Sequence, residues 1–197
     1  MNHDLYVWIL TAMGSLEPQT KPDILARHQV LATAIARHLD AEPPLFKDDA
    51  DKKKTAALMV SIPYRESGLG REVLGDKDSA GRPTSFCAYQ VSSGVGGSAA
   101  LNTDADACVA AGMRVLRWSF RFCPAFPVAG YASGLNGCTN PRAQRISRDR
   151  MAIAARLVRD VVVPPKSSFF TPRTERMTVA VLPRDSWAEA FRHEDLA

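Results

Sequence analysis

The stretch Thr55-Ala56-Ala57-Leu58-Met59-Val60-Ser61-Ile62-Pro63-Tyr64-Arg65-Glu66-Ser67-Gly68 decides how this chain is read. Ala56 to Ile62 is apolar and helix-forming, with Leu58, Met59 and Ile62 on one side. Pro63 is expected to kink the last turn, and Glu66 stands at the exit. The mixed-charge stretch Lys47–Lys54 precedes it. Its Lys52-Lys53-Lys54 run reads as the solvated first turns of the same helix rather than a nucleic-acid site. Immediately downstream, Gly68, Gly70, Gly75, Gly81, Pro83, Gly94, Gly96 and Gly97 break any helix. Between them, strands are expected at Glu72–Leu74 and Ser85–Val91, joined by an Asp78-Ser79-Ala80-Gly81 turn. A helix that ends at a glutamate therefore runs into a glycine-rich hairpin.

Both flanks are helical in texture. Residues 1–16 read as a short helix or anchoring segment. A second helix is expected from Thr20, with Thr20 as cap, Pro22 in the first turn and Ile24, Leu31, Ile35 and Leu39 on one face; Glu42-Pro43-Pro44 ends it. Helical pattern returns at Asp104–Phe122. A short apolar segment, Phe126–Ala132, then precedes a turn at Ser133–Gly137. A last helix is expected from Pro141 to Val162, with Ile146, Ile153, Leu157 and Val161 on one face. Its arginines (142, 145, 148, 156, 159) read as a solvated face with local pairs to Asp149 and Asp160 rather than a grip on an anionic polymer. Pro164-Pro165 stops it. Residues 164–197 read as an arm with a strand at Thr178–Leu182 and a short helix from Asp185, which wraps the domain or docks on a partner. The fold class is mainly α (α+β), in three parts: a helical segment 1–46, a central domain 47–163 and the arm.

Composition narrows the functional classes. The chain has 197 residues, 46% hydrophobic and 23% charged, with a formal charge of +4, as in an ordinary globular protein. No apolar run approaches the roughly 20 residues a membrane helix needs. Leu5–Leu10, preceded by Asn2, His3 and Asp4, does not read as a secretory signal. There is no GxxxxGK[ST] loop, HExxH or CxxC. His3, His28, His38 and His193 show no ligand spacing and read as solvated or helix-surface residues, so no metal or other cofactor is expected. Cys87, Cys108, Cys123 and Cys138 are either buried thiols or one or two disulfides, and three connectivities are open.

Three motifs, in order, carry a resemblance: Arg65-Glu66-Ser67-Gly68 at a helix end; Ser85-Phe86-Cys87-Ala88-Tyr89-Gln90-Val91; and Asp104–Gly112 followed by Tyr131-Ala132-Ser133-Gly134. Together, over about 80 central residues, they resemble the lysozyme-like superfamily, in particular its soluble lytic transglycosylase and goose-type lysozyme branch. Cys87-Ala88 stands in place of the usual Gly-Leu, Cys108 near the usual Asn, and Ala132 in place of the Asn after the tyrosine. The resemblance implies a lysozyme-like helical domain with a small β hairpin after the catalytic helix. It also implies cleavage of the β-1,4 bond between N-acetylmuramic acid and N-acetylglucosamine in peptidoglycan. Glu66 would be the catalytic acid and base, Ser67 and Ser85 would support it and the sugar, Gln90 would line the cleft, and Tyr131 would hold Glu66 or the sugar from the far wall.

Chemistry gives Glu66 its own case. Protonating a glycosidic oxygen near neutral pH needs a carboxylic acid whose pKa burial has raised, and a glutamate closing an apolar helix is placed for it. An inverting muramidase needs a second carboxylate about 6.5–9.5 Å away. Asp76 and Asp78 on the hairpin are the candidates, although Gly-Asp-Lys-Asp-Ser-Ala-Gly reads rather as a turn. Without one, a single glutamate suffices for a lytic transglycosylase. The remaining alternatives are an inactive wall-binding or virion structural protein of the same fold, and a basic nucleic-acid binder using residues 142–159. With no secretory signal, the expected setting is a phage-encoded protein acting at the bacterial wall, whose arm meets other virion proteins, or a bacterial protein exported by another route.

Overall fold

Asn2 opens the chain's first helix. Its side chain accepts from the Leu5 amide at 3.1 Å, which caps α1 (His3–Leu16). Leu5, Trp8, Ile9, Ala12 and Met13 then fall at i, i+3, i+4, i+7 and i+8, one face of a helix, and all are buried. This computed structural model describes residues 1–163. The arm at 164–197, with its expected strand and helix, lies outside the described residues.

α2 (Pro22–Ala41) packs on α1 and buries Leu31, Ile35 and Leu39. Thr20 does not cap it. The boundary is Lys21, which makes no side-chain cap bond, because a residue before proline is pushed into extended conformation and Lys21 sits at φ −124°, ψ 147°. α3 (Lys53–Ser67) is buried on all sides from Thr55 to Pro63, as only a central helix is. Asp49 fixes its start by accepting from the Lys54 and Thr55 amides and the Thr55 hydroxyl. The Lys52–Lys54 run lies at this start, with Lys53 paired to Asp51 and Lys54 to Asp48.

Pro63 sits inside α3 without ending it. Having no N–H, it leaves the Met59 carbonyl without its helical donor. The Tyr89 hydroxyl fills that gap at 2.7 Å, deep in the core. Tyr89 in turn lies flat on α4 (Ala105–Phe122), where a Cβ on Gly112 would come within 2.6 Å of its ring. One tyrosine thus locks α3 to α4, and Gly112→Ala would push them apart.

Ser85–Val91 is not one strand. It folds back on itself as β1 (Ser85–Phe86) and β2 (Val91–Ser92), antiparallel, with Ser85 opposite Ser92 and Phe86 opposite Val91. Cys87 (φ 62°) and Gln90 (φ 47°) turn the chain between them. Two tethers hold this left-handed backbone: Asn102 accepts from the Cys87 amide at 2.7 Å, and a disulfide joins Cys87 to Cys108 of α4. The expected strand at Glu72–Leu74 is reduced to single bridges, Leu74 to Phe86 and Lys77 to Pro83, around the Asp78–Gly81 turn.

α5 (Ala129–Ser133) and α6 (Pro141–Asp160) complete the described residues. A second disulfide, Cys123–Cys138, closes the segment between α4 and α6. α6 lies along α3 and buries Ile153, Ala154 and Leu157 against it. The protein is mainly helical, and α1 and α2 share one buried cluster with α3 and α4. Among the described residues no helix is long and apolar enough to cross a membrane.

Candidate functional site

The sequence around Glu66 brings its backbone to a sharp stop. Gly68 adopts φ 58°, and the Gly68 and Leu69 amides both donate to the Pro63 carbonyl. This leaves Glu66 in the last turn of α3, facing α6. Its Oε1 accepts from Arg150 Nη2 at 2.8 Å, and no hydrogen bond reaches Oε2 from the described residues. Arg150 also donates through Nη1 to Asp149 Oδ2 at 2.9 Å. Asp149 is gripped from the other side by Arg65, with Nε and Nη2 reaching its two oxygens at 3.0 and 2.8 Å. Two neighbours on α3 and two neighbours on α6 thus form a chain of four alternating charges, Glu66, Arg150, Asp149 and Arg65. The hydrogen bond from Arg65, aided by that from Arg150, holds the Asp149 carboxyl below the usual carboxylate range. At the Arg65–Asp149 end of these charges opens a cavity of about 540 Å³ lined by Tyr64, Arg65, Asp149 and Arg156 among others.

This arrangement corrects the expectation for Glu66. The carboxylate is not sheltered in apolar surroundings; it is 24% exposed and ion-paired. It also corrects the reading of the last helix. Asp149 serves Arg65 and Arg150, not the surface arginines, and Arg159 makes the expected local pair with Asp160.

The 87–90 turn packs against the end of α3 and against α5. Ser67 Oγ donates to the Ala88 carbonyl at 2.7 Å and accepts from the Gly70 amide at 2.8 Å. The Tyr131 hydroxyl, carried on α5, donates to the next carbonyl, that of Tyr89. The turn is thus held by the end of α3 on one side and by α5 on the other. Tyr131 also lies close enough to Glu66 and Arg150 to feel their charges. Burial lifts its hydroxyl well above the usual pKa, the negative charge of Glu66 adds to this, and Arg150 opposes it.

Gln90 and Ser85 pack together beneath the hairpin. The Ser85 hydroxyl donates to Gln90 Oε1 at 2.9 Å and accepts from the Asp76 amide, while Gln90 Nε2 donates to the Glu72 and Cys87 carbonyls. Gly75 makes this possible, since a Cβ there would lie 1.5 Å from Gln90 Oε1.

Glu66, Ser67 and Tyr131 are therefore brought to one place, with Gln90 and Ser85 at its edge. Ser67 and Ser85 are buried and satisfied by protein groups, which leaves neither free to bond a sugar as expected. Asp78 is committed to the hairpin tip, where it accepts from the Ala80 and Arg82 amides and from Arg82 Nε. Asp76 is exposed and binds the strand opposite through its carbonyl, which accepts from Thr84.

Arg150, Asp149 and Arg65 were not foreseen as site residues. The only signal was two adjacent opposite-charge pairs, Arg65-Glu66 and Asp149-Arg150, which the packing of α3 on α6 brings face to face. Nor is His28 a surface residue; it is fully buried against Glu17. Among the described residues no group of three or more His, Cys, Asp or Glu is placed to hold a metal ion. Comparison with protein-family models, curated proteins and solved structures finds no match to this chain.

Proposed function

We propose that the chain is a lysozyme-like, peptidoglycan-cleaving enzyme that works as a lytic transglycosylase with Glu66 as its only carboxylate. The observation that carries this reading is a helix-terminal glutamate with, among the described residues, one oxygen unbonded, near a tyrosine that holds a turn fixed at three points. Glu66 as the acid gives its proton to the glycosidic oxygen between N-acetylmuramic acid and N-acetylglucosamine, and that bond breaks. Glu66 as the carboxylate then takes the proton of the sugar's own 6-hydroxyl, whose oxygen closes on C1. The product carries an anhydro end, no water is consumed, and Glu66 is an acid again. The engagement of Asp78 at the hairpin tip favours this single-carboxylate route over an inverting muramidase. The two disulfides suit work in an oxidising compartment such as the periplasm or the outside of a cell.

A second reading, an inactive wall-binding protein of the same fold, is favoured by one observation. Gln90, Ser85 and Ser67 all spend their polar groups inside the protein. Dye-labelled peptidoglycan separates the two. Release of soluble dye by the wild type and not by Glu66→Gln supports the enzyme. Sedimentation with the wall but no release supports the binder, and salt-sensitive retention on DNA without wall binding contradicts both.

A further inference from the structure

We propose that the cavity between the end of α3 and the second half of α6 is a separate binding site, for the carboxylate of a short peptide, with Arg156 as the group that receives it. The site stands on the cavity and its charges and does not involve the chemistry of Glu66. The source of the peptide does rest on the glycan-cleaving reading: it is the acidic stem carried by the muramic acid.

Asp149, Ala152, Ile153, Arg156 and Arg159 lie at i, i+3, i+4, i+7 and i+10 of α6, so one side of the helix brings them all to the cavity. Tyr64 and Arg65 line it from α3. Three guanidinium groups and one carboxylate thus surround about 540 Å³, a volume usual for a small-ligand site. The carboxylates are already engaged. Both oxygens of Asp149 accept from Arg65, and Oδ2 accepts from Arg150 as well. Both oxygens of Asp160 accept from its neighbour Arg159. Asp160 stands one turn beyond Arg156, where an i, i+4 pair would form. Yet Arg156 makes no hydrogen bond or ion pair among the described residues and feels the Asp160 charge only from farther off. One uncompensated guanidinium calls for a single negative charge, so a carboxylate suits it better than a phosphate dianion, and its planar fork matches the two carboxylate oxygens. The cavity is far larger than a carboxylate, and its other walls are mixed. Ile153 and Ala152 are apolar, while the Tyr64 hydroxyl makes no hydrogen bond among the described residues. Arg65 lies over the Tyr64 ring, 5.9 Å from its centre, and so steadies that wall while it grips Asp149. A body with amide groups and small aliphatic side chains meets both kinds of wall, and a short peptide provides it. Arg65 directly precedes Glu66, so the cavity opens beside the turn that carries the candidate catalytic residue.

Calorimetric titration of the full chain with the free stem tetrapeptide, acetyl-Ala-γ-D-Glu-Lys-D-Ala, tests the site. The wild type should bind it, Arg156→Gln should bind it about tenfold more weakly, and Arg156→Lys should fall in between. Amidation of both peptide carboxylates should weaken binding to the wild type by a similar factor, and Arg156→Gln should then make no further difference. Arg142→Gln removes an equal charge from α6 outside the cavity and should bind the acidic peptide as the wild type does. No loss in Arg156→Gln, or equal losses in Arg142→Gln and Arg156→Gln, overturns the site. Inorganic phosphate at the peptide's own concentration should not displace it; displacement overturns the carboxylate assignment. Should Arg156→Gln fail to fold, Ala152→Trp decides, because it fills the cavity from an exposed position; undiminished binding by that variant overturns the site. A wild type that cleaves peptidoglycan and does not bind the tetrapeptide overturns the site alone. A wild type that binds the tetrapeptide through Arg156 and cleaves no wall substrate supports the site and overturns the glycan-cleaving reading, and with it the stem as the source.

Discussion

Two glutamates in this protein stand at helix ends beside an arginine, and their surroundings send them in different directions. Glu17 follows α1, and its Oε2 accepts from both Arg27 Nη2 at 2.9 Å and His28 Nε2 at 2.8 Å. Gln19 completes the cluster: its amide donates to the Leu10 carbonyl and meets His28 Nδ1 at 3.1 Å, which places the imidazole proton on Nε2. Burial pushes the Glu17 carboxyl up, but the bonds from His28 and Arg27 outweigh it and hold it below its ordinary value. Arg27 and His28 are both buried, so this corner joins α1 to α2 and offers a substrate nothing. Among the described residues Glu66 has one hydrogen-bond partner instead of two, and its second oxygen is unbonded. A saturated carboxylate serves the fold, while one held by a single bond is available for chemistry.

The widest separation between the two comes from removing each charge. Glu66→Gln should lower cleavage of labelled peptidoglycan at least about a thousandfold with an unchanged denaturation midpoint. Glu17→Gln should do the reverse. It strands a buried guanidinium and should cost about 3 kcal/mol in urea unfolding, while the folded fraction keeps its activity. Loss of activity per folded molecule in Glu17→Gln would break the distinction.

The disulfides sharpen it next. They close segments of 21 and 15 residues, and each should contribute about 3 kcal/mol. Only Cys87–Cys108 anchors the turn whose carbonyls Ser67 and Tyr131 hold. The paired Cys87→Ala, Cys108→Ala variant should lose activity beyond its loss of stability. The Cys123→Ala, Cys138→Ala pair should lose stability alone. Equal activity losses after correction for folding would show that the turn needs no anchor. A smaller effect is expected from Tyr131→Phe. It removes the donor to the Tyr89 carbonyl, which should cost about 1–2 kcal/mol and slow cleavage through a loosened turn.

The smallest effect is on pH. Burial lowers the pKa of His28 and of His38 from the ordinary 6.5. In both cases the unfolded chain binds the proton first, so stability should rise with pH up to about 6.5 and fall below it. A second loss should follow in acid below about 4.5, as Glu17 is protonated. Thermal unfolding across this range checks both, and a flat profile between about pH 4.5 and 6.5 would contradict the neutral buried imidazole.

The helices were legible from sequence because their signals are local. The last helix starts at Pro141 as expected, and Leu31, Ile35 and Leu39 fall on one buried face, although the expected cap Thr20 gave way to Lys21. The hairpin was legible only in part. Ser85–Val91 has the composition of a strand, and the bond from Asn102 and the bridge to Cys108 that bend it at Cys87 and Gln90 come from 15 and 21 residues away. Glu66 could be singled out by the helix it ends. Arg150 could not, since 84 residues separate them and only the packing of α6 on α3 joins them. The same distance explains why Glu66 was expected in an apolar shelter and stands in an ion pair.

Mass spectrometry of peptidoglycan digested by the purified protein tests the central claim most directly. Disaccharide-peptides ending in anhydro-muramic acid, formed by the wild type and absent with Glu66→Gln, are the predicted result. Reducing ends would replace the transglycosylase with a hydrolase that has a second carboxylate. An undigested wall with folded, oxidised wild type, or products that persist in Glu66→Gln, would contradict the claim that this glutamate cleaves glycan.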